Sequence, residues 1–189
     1  MEIGGLNVEG MGTADWQPAL EHLDLLAEPV AAALQELAER EPVLAARAVV
    51  ADIDPTYADT DAMTEHYNMD LYLSCNCVLV AGKRAGEERV AAAVVRATTK
   101  ADVNHTIKKL LDVRKCSFWP QERAVAASGM EYGGITPVGV PSQWRLLLDT
   151  RVAEGYCVVG SGLRRSKLAL SGALLAALPR AEVIEGLAA

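Results

Sequence analysis

The sequence predicts an α/β protein built on one core, with strands and helices alternating along the chain. The first reason is patterning: apolar runs such as RAVVADI (47–53), LYLSCNCVLVAG (71–82) and RVAAAVVRAT (89–98) alternate with stretches whose apolar residues recur at helical spacing. The second is composition. Hydrophobic residues make up 51% of the chain but aromatic ones only 5%, with Phe118 the single phenylalanine. Such a core is built from Val, Leu, Ile and Ala, which suits helices packed on strands better than an aromatic-rich sandwich. The third is length: 189 residues bury one good core and leave little room for a second.

The elements follow in order. Residues 16–40 place Leu20, Leu23, Val30, Leu34 and Leu37 at helix-like spacings interrupted at Pro29, which predicts two short helices or one kinked helix. This region belongs to an N-terminal helical extension, residues 1–44, ahead of a globular unit over 45–189. A strand at 47–53 stops at Asp54-Pro55. A helix follows over 59–68, capped from Asp59, Thr60 and Asp61, with Met63 and Tyr67 as its apolar face. Strands at 71–82 and 89–98 flank a hairpin loop at Gly82-Lys83-Arg84-Ala85-Gly86.

Asp102 caps the next helix, whose Val103, Ile107, Leu110 and Leu111 form one buried stripe and whose last turn carries Lys108 and Lys109. KCSF (115–118) is a short strand. A helix over 120–129 has Pro120 in its first turn and Gly129 as its stop. After a Gly/Pro-rich loop (130–141) come a strand at 144–149, a helical turn near 150–154, a strand at 156–162 that ends in a Gly-rich corner, a strand at 167–171, an Ala/Leu helix at 172–178 and a strand at 181–185.

The start, MEIGGLNVEGMGTADW, lacks the basic and apolar segments of a secretory signal, and no later run is long enough to cross a bilayer. A cytoplasmic protein without membrane contact is the expectation, with Cys75, Cys77, Cys116 and Cys157 kept as thiols. The net charge of −7 conceals an asymmetry: residues 1–82 sum to −13 and residues 83–189 to +6. Segregation of this kind allows a local basic face on an acidic protein, unless the halves intermix in three dimensions.

Chemistry concentrates in two places. Residues 129–141 pack four glycines and two prolines into thirteen positions, so a ligand could approach backbone N–H groups closely. The same composition also suits a sharp connection between strands. Gly160-Ser161-Gly162 could present a hydroxyl and backbone donors, with Arg164, Arg165 and Lys167 nearby to meet phosphate. Neither stretch has the spacing of a dinucleotide fingerprint or a P-loop. His22, His66 and His105 are too scattered for a metal site, and Cys75 and Cys77 read as buried thiols, so neither a metal nor any other cofactor is expected. Lys100, Lys108, Lys109, Arg114 and Lys115 form a basic patch suited to phosphate or to plain solvation.

Together, ATTKADVNHTIKKLLDVRKCSF (97–118), GMEYGGITPVG (129–139) and VVGSGLRRSKLAL (158–170), in this order, resemble the YbaK/EbsC family of prolyl-tRNA-synthetase-associated editing domains. The match spans roughly residues 45–186, and GGITPVG after a basic helix is its most specific part. The resemblance implies a curved, partly closed mixed β-sheet with flanking helices. It further implies hydrolysis of the ester bond of mischarged tRNA, usually a prolyl tRNA, without a side-chain nucleophile or metal.

On that basis the backbone of Gly133, Gly134 and Ile135 is expected to act on the ester, with Asn76, Thr136, Gly160 and Ser161 orienting substrate. Lys100, Lys108, Lys109, Arg164 and Lys167 would meet tRNA phosphates. Aminoacyl-tRNA is the expected partner, with an aminoacyl-tRNA synthetase as a second. The chain departs from the family at three points: Asn76 stands where a lysine is common, Ala51 matches a frequent tyrosine, and the late serine falls at Gly160 or Ser161. These departures leave open a non-catalytic binding module of the same fold, recognising an aminoacyl group, a nucleotide or a partner protein.

Overall fold

The computed structural model describes residues 1–189. The chain opens with a small hairpin, β1 (Glu2–Ile3) and β2 (Leu6–Asn7), followed by β3 (Trp16–Pro18), helices α1 (Glu28–Arg40) and α2 (Pro42–Ala45), and β4 (Val49–Asp52). Helix α3 (Thr60–His66) precedes the long hairpin of β5 (Cys75–Arg84) and β6 (Glu87–Arg96). A π-helical turn (Val103–Ile107) runs into α4 (Lys108–Leu111), then β7 (Cys116–Phe118) and α5 (Gln121–Ser128). After the glycine-rich loop come β8 (Arg145–Asp149), α6 (Thr150–Ala153), β9 (Tyr156–Gly160), β10 (Ser166–Ser171), α7 (Gly172–Ala176) and β11 (Ala181–Ile184).

Two larger sheets result. One has the order β3-β4-β10-β9 and is antiparallel throughout; the other, β11-β8-β6-β5-β7, is mixed, because β8 runs parallel to both its neighbours. A parallel bridge between Ser74 and Val158 joins them beside the start of β5. This is a mixed α/β arrangement of sheets with flanking helices, the class of fold that the resemblance implies.

Alternation along each strand distributes side chains among three apolar clusters. The largest lies between the sheets: Leu168 and Leu170 of β10 meet Ala92 and Val94 of β6, Leu146 and Leu148 of β8, and Val30, Leu34 and Leu37 of α1. Ala169 and Ala51 point to the opposite face, where Ile3, Val8, Met11 and Trp16 cover the first sheet. Ala91, Ala93, Val95 and Leu147 lie on the outer face of the second sheet against Ile107 and Leu111. Residues 1–44 therefore contribute to the same core as the rest of the chain. No helix is long and apolar enough to cross a membrane.

The expected strands at 47–53, 89–98, 115–118, 144–149, 156–162, 167–171 and 181–185 all form, within a few residues of their bounds. The 82–86 loop is tighter than expected: β5 runs to Arg84, and Ala85 and Gly86 alone turn the chain, both with positive φ. The main correction concerns residues 16–27. The helical spacing of Leu20 and Leu23 is not realised, since Trp16–Pro18 pairs with β4 and the chain then makes two single 3-10 turns. Strand pairing overrides a weak local preference. Pro29 opens α1 instead of kinking it, because its missing N–H has no partner to lose in a first turn.

Candidate functional site

The two sheets part where β5 begins and β9 ends, leaving a cavity of about 410 Å³. Four pieces of chain form its walls. Ala58, Asp59, Thr60 and Met63 come from the start of α3, Ser74–Cys77 from the entry to β5, Tyr132, Gly133 and Ile135 from the glycine-rich loop, and Val158–Gly160 with Lys167 from β9 and β10. The size falls within the range of small-molecule sites, and the mixture of aliphatic walls with a few polar groups is typical of them.

The glycine-rich loop is docked on the 160–163 corner by backbone hydrogen bonds in both directions. Gly162 N–H donates to Gly134 O at 2.7 Å, and Glu131 N–H donates to Gly162 O at 2.8 Å. Small residues make this approach possible. A Cβ on Gly134 would lie 2.6 Å from the Leu163 carbonyl carbon, and one on Gly160 only 2.2 Å from Gly134 O. The Gly134 amide donates to Glu131 O at 3.0 Å, and the residue does not line the cavity. The N–H groups of Gly133 and Ile135 have no acceptor in the protein, and both residues line the cavity.

Asn76 stands opposite, in register with Val95 of β6. Its Oδ1 accepts from Thr60 Oγ1 at 3.1 Å, so the amide nitrogen is left to donate elsewhere. Lys167 lies at the start of β10, paired with Gly160 on one side and Ala51 on the other. Burial pushes its ammonium down to about 8; Asp59 opposes the shift and Arg164 adds to it. The entrance is tied by Arg164, which lies 3.3 Å from the Asp59 carboxylate, lends its N–H to Glu131 at 2.7 Å and sits over the Tyr132 ring.

The structure thus brings Asn76, Gly133, Ile135, Gly160 and Lys167 to one cavity, with Arg164 at its mouth. Thr136 and Ser161 do not line it and are fully buried. The Ser161 hydroxyl lies 2.7 Å from Ser166 Oγ and accepts from Leu163 N–H at 3.2 Å, while Ser166 Oγ donates to Leu25 O at 2.6 Å. Its part is to brace the corner. Lys100, Lys108 and Lys109 are elsewhere: Lys100 pairs its backbone with Ala189, and the other two ride on α4.

Arg114 and Lys115 line a second concavity of about 540 Å³ together with Lys83, Arg123 and Trp119, at the far end of β5. Six residues at about 3.3 Å each put it roughly 20 Å from Asn76. The sequence reading assigned no site role to Asp59, Thr60 or Met63. Asp59 and Thr60 have the composition of a helix cap, and only the turn of the chain at 54–58 aims them inward.

Activated nucleophiles are missing from the cavity. Burial pushes the Cys77 thiol up to about 12, and Cys75 is also raised, first by its contact with the Cys157 thiol. None of the three histidines lines the cavity; His66 is stacked on Tyr57 at 3.7 Å. No three His, Cys, Asp or Glu side chains cluster as metal ligands. The chemistry on offer is hydrogen-bond donation and charge.

Comparison with known proteins bears on the fold and the family. No curated protein matches the chain. Among solved structures, a candidate trans-editing enzyme for prolyl tRNA synthetase superposes with a TM-score of 0.65 at 16% identity, covering 84% of this chain and 96% of its own. A hypothetical protein gives 0.67 at 17% identity, covering 83% and 99%, and a scaffold used for computational epitope grafting gives 0.66 at 16%, covering 84% and 97%. At these identities the likeness is one of fold. Residues 54–178 match the family described as the aminoacyl-tRNA editing domain, a span that holds every wall of the cavity. The chain belongs to the aminoacyl-tRNA editing domain family.

Proposed function

We propose that this protein is a hydrolase that cleaves, in trans, the ester bond joining a wrong amino acid to the terminal ribose of a tRNA, a prolyl tRNA in particular. The observation that carries the reading is the pair of unpartnered main-chain amides, Gly133 and Ile135, in a cavity without an activated nucleophile. An ester needs no stronger machinery than this. As water adds to the carbonyl carbon, negative charge develops on the carbonyl oxygen. Each preorganised donor aimed at that oxygen is worth about 10²–10³ in rate.

The remaining walls suit the remaining parts of the substrate. Asp59 is the only carboxylate lining the cavity and complements the α-ammonium of an aminoacyl group. Asn76 Nδ2 donates to the ribose or the ester, and the substrate's neighbouring ribose hydroxyl helps to hold the water. Met63, Ile135, Val158 and Val159 receive an aliphatic side chain. Gly134, Gly160 and Ser161 act at one remove by fixing the loop.

Arg164 at the mouth meets the nearest phosphates, and Lys83, Arg114 and Lys115 in the second concavity meet those farther along the acceptor end. Lys100, Lys108 and Lys109 add a diffuse attraction for the same polyanion. Such a protein works in the cytoplasm, beside the synthetase whose errors it clears.

The test is deacylation of a panel of mischarged and correctly charged tRNAs by the purified protein. Turnover of at least one mischarged species, with correctly charged tRNA spared, is the expected result. Salt-dependent binding of tRNA ends without turnover would replace the hydrolase by a binding module.

A further inference from the structure

Within this editing reading, on which the inference rests, we propose that Lys167 is a catalytic residue whose ammonium group faces the ester carbonyl oxygen beside the Gly133 and Ile135 amides. Three observations lead there. Lys167 is the only lysine or arginine among the residues that line the cavity. It extends from β10, an inner strand held by β4 on one side and β9 on the other, so its backbone is rigidly placed. And its ammonium has no partner: the one carboxylate lining the cavity, Asp59, is bridged by Arg164 instead, and no hydrogen bond reaches the Lys167 side chain.

An unpaired, largely buried cation works against folding. On the same face of β10, two residues along, Ala169 packs in an apolar cluster with Ala51 and Val158, so an aliphatic residue at 167 would extend existing packing. Charge retained at such a position is a mark of a working site. The position is also suited to the chemistry. Asn76, across the cavity, is neutral and can direct a substrate but cannot offset a developing anion. Lys167 supplies that offset.

The step balances without another reactant. Water oxygen bonds to the ester carbon, the C=O π pair moves to oxygen and is stabilised by Lys167 and the two amides. The pair then returns as the C–O bond to ribose breaks. The proton released by water ends on the ribose oxygen, through solvent, and Lys167 neither gains nor loses one.

Only the ammonium form can act, and burial with Arg164 nearby makes that form vulnerable just above neutrality. The charged groups facing Lys167 are Asp59 from the start of α3 and Arg164 from the β9–β10 turn. Cys75, Cys77 and Tyr132 are the other titratable groups of the cavity. The α-amine of the substrate titrates in the same range, so an arginine variant is the necessary control.

The experiment compares wild type, Lys167→Met and Lys167→Arg in single-turnover deacylation from pH 6 to 9. Each is assayed on mischarged tRNA and on 3′-aminoacyl-adenosine, which carries no phosphate. For Lys167→Met the expected result is a fall in the maximal rate of about 100-fold on both substrates, with half-saturation little changed. Lys167→Arg should stay within about tenfold of wild type and lose the decline that wild type shows above pH about 8.

Melting adds an independent readout. Because the folded-state pKa lies below the unfolded one, ionised Lys167 costs stability. Lys167→Met should therefore melt higher below pH 8, and its advantage should vanish as pH rises towards 10.5. An active Lys167→Met enzyme, a defect in half-saturation alone, or a defect absent on the phosphate-free substrate would overturn the role of the lysine and leave the editing reading standing. A wild-type protein inactive on the whole panel would remove both.

Discussion

Replacing Gly160 by alanine puts the docking of the glycine-rich loop to the test. The new methyl group would lie 2.2 Å from Gly134 O and 2.8 Å from Ile135 O, both backbone atoms that cannot rotate away. A carbon needs about 3.3 Å from a carbonyl oxygen, so the loop must retreat by about 1 Å. The retreat pulls on the 2.7 Å bond from Gly162 N–H and moves the Gly133 and Ile135 amides with it.

Overpacking of this kind costs about 1–3 kcal/mol, which for a chain of this length lowers Tm by roughly 4–8 °C at the middle of that range. A misplacement of about 1 Å costs about 100-fold in rate. The assay pairs thermal melts with single-turnover deacylation, using Gly86→Ala as a reference. Gly86 has φ of +86° and open space around it, so alanine there strains the hairpin by about 1–2 kcal/mol without touching the cavity. Gly160→Ala should lose activity and Gly86→Ala should keep it at similar stability. Wild-type rates for Gly160→Ala would refute the idea that loop docking sets the amides.

Other expectations concern what holds the site in place. Ser161→Ala strips the buried Leu163 N–H and the Ser166 hydroxyl of a partner, so it should cost about 1–3 kcal/mol in denaturant melts while half-saturation for substrate stays close to wild type. Arg96 is 1% exposed and faces no carboxylate; it donates to the carbonyls of Tyr72, Arg151 and Tyr156. Arg96→Met leaves those oxygens without their donor, and a loss of about 1–3 kcal/mol for each one left unpaired should appear in the same melts.

Asp102 is held down to about 2, first by the Thr106 backbone N–H and then by His105 and the Thr106 hydroxyl. Its contribution to stability is present above its ordinary value of 3.8 and is lost as pH falls through 2. The Tm gap between wild type and Asp102→Asn should therefore be visible at pH 5 and shrink towards zero as pH falls through 2.

How much was legible in the sequence differs between scaffold and site. The continuous apolar runs in RVAAAVVRAT and WRLLLD are enough to define two central strands, because each face meets a different apolar cluster. The strand at 16–18 was not legible, since Trp16 and Gln17 carry no period and become a strand only by pairing with Ala51 and Val50. In the site, the glycine-rich loop and the 160–162 corner stood out by composition. Which amides are free did not, because that depends on the turn that Glu131 O closes on Gly134 N–H and on Gly162 docking from across the fold.

The resemblance left the late serine at Gly160 or Ser161. The contact with Gly134 O leaves no space for a side chain at 160, and the hydroxyl at 161 is enclosed by Ser166 and Leu163. Lys167 read as one of several basic residues after the corner. Its direction, into the cavity and not out to solvent, follows from the register of β10 with Gly160, which no local pattern reveals.

The most direct measurement is a crystal structure with an aminoacyl-adenosine whose ester is replaced by a stable amide. The predicted result is an acyl oxygen within hydrogen-bonding distance of Gly133 N and Ile135 N, with Lys167 Nζ on the same oxygen and the α-ammonium towards Asp59. An analogue seated in the Trp119 concavity, or one whose acyl oxygen points away from both amides, would contradict it.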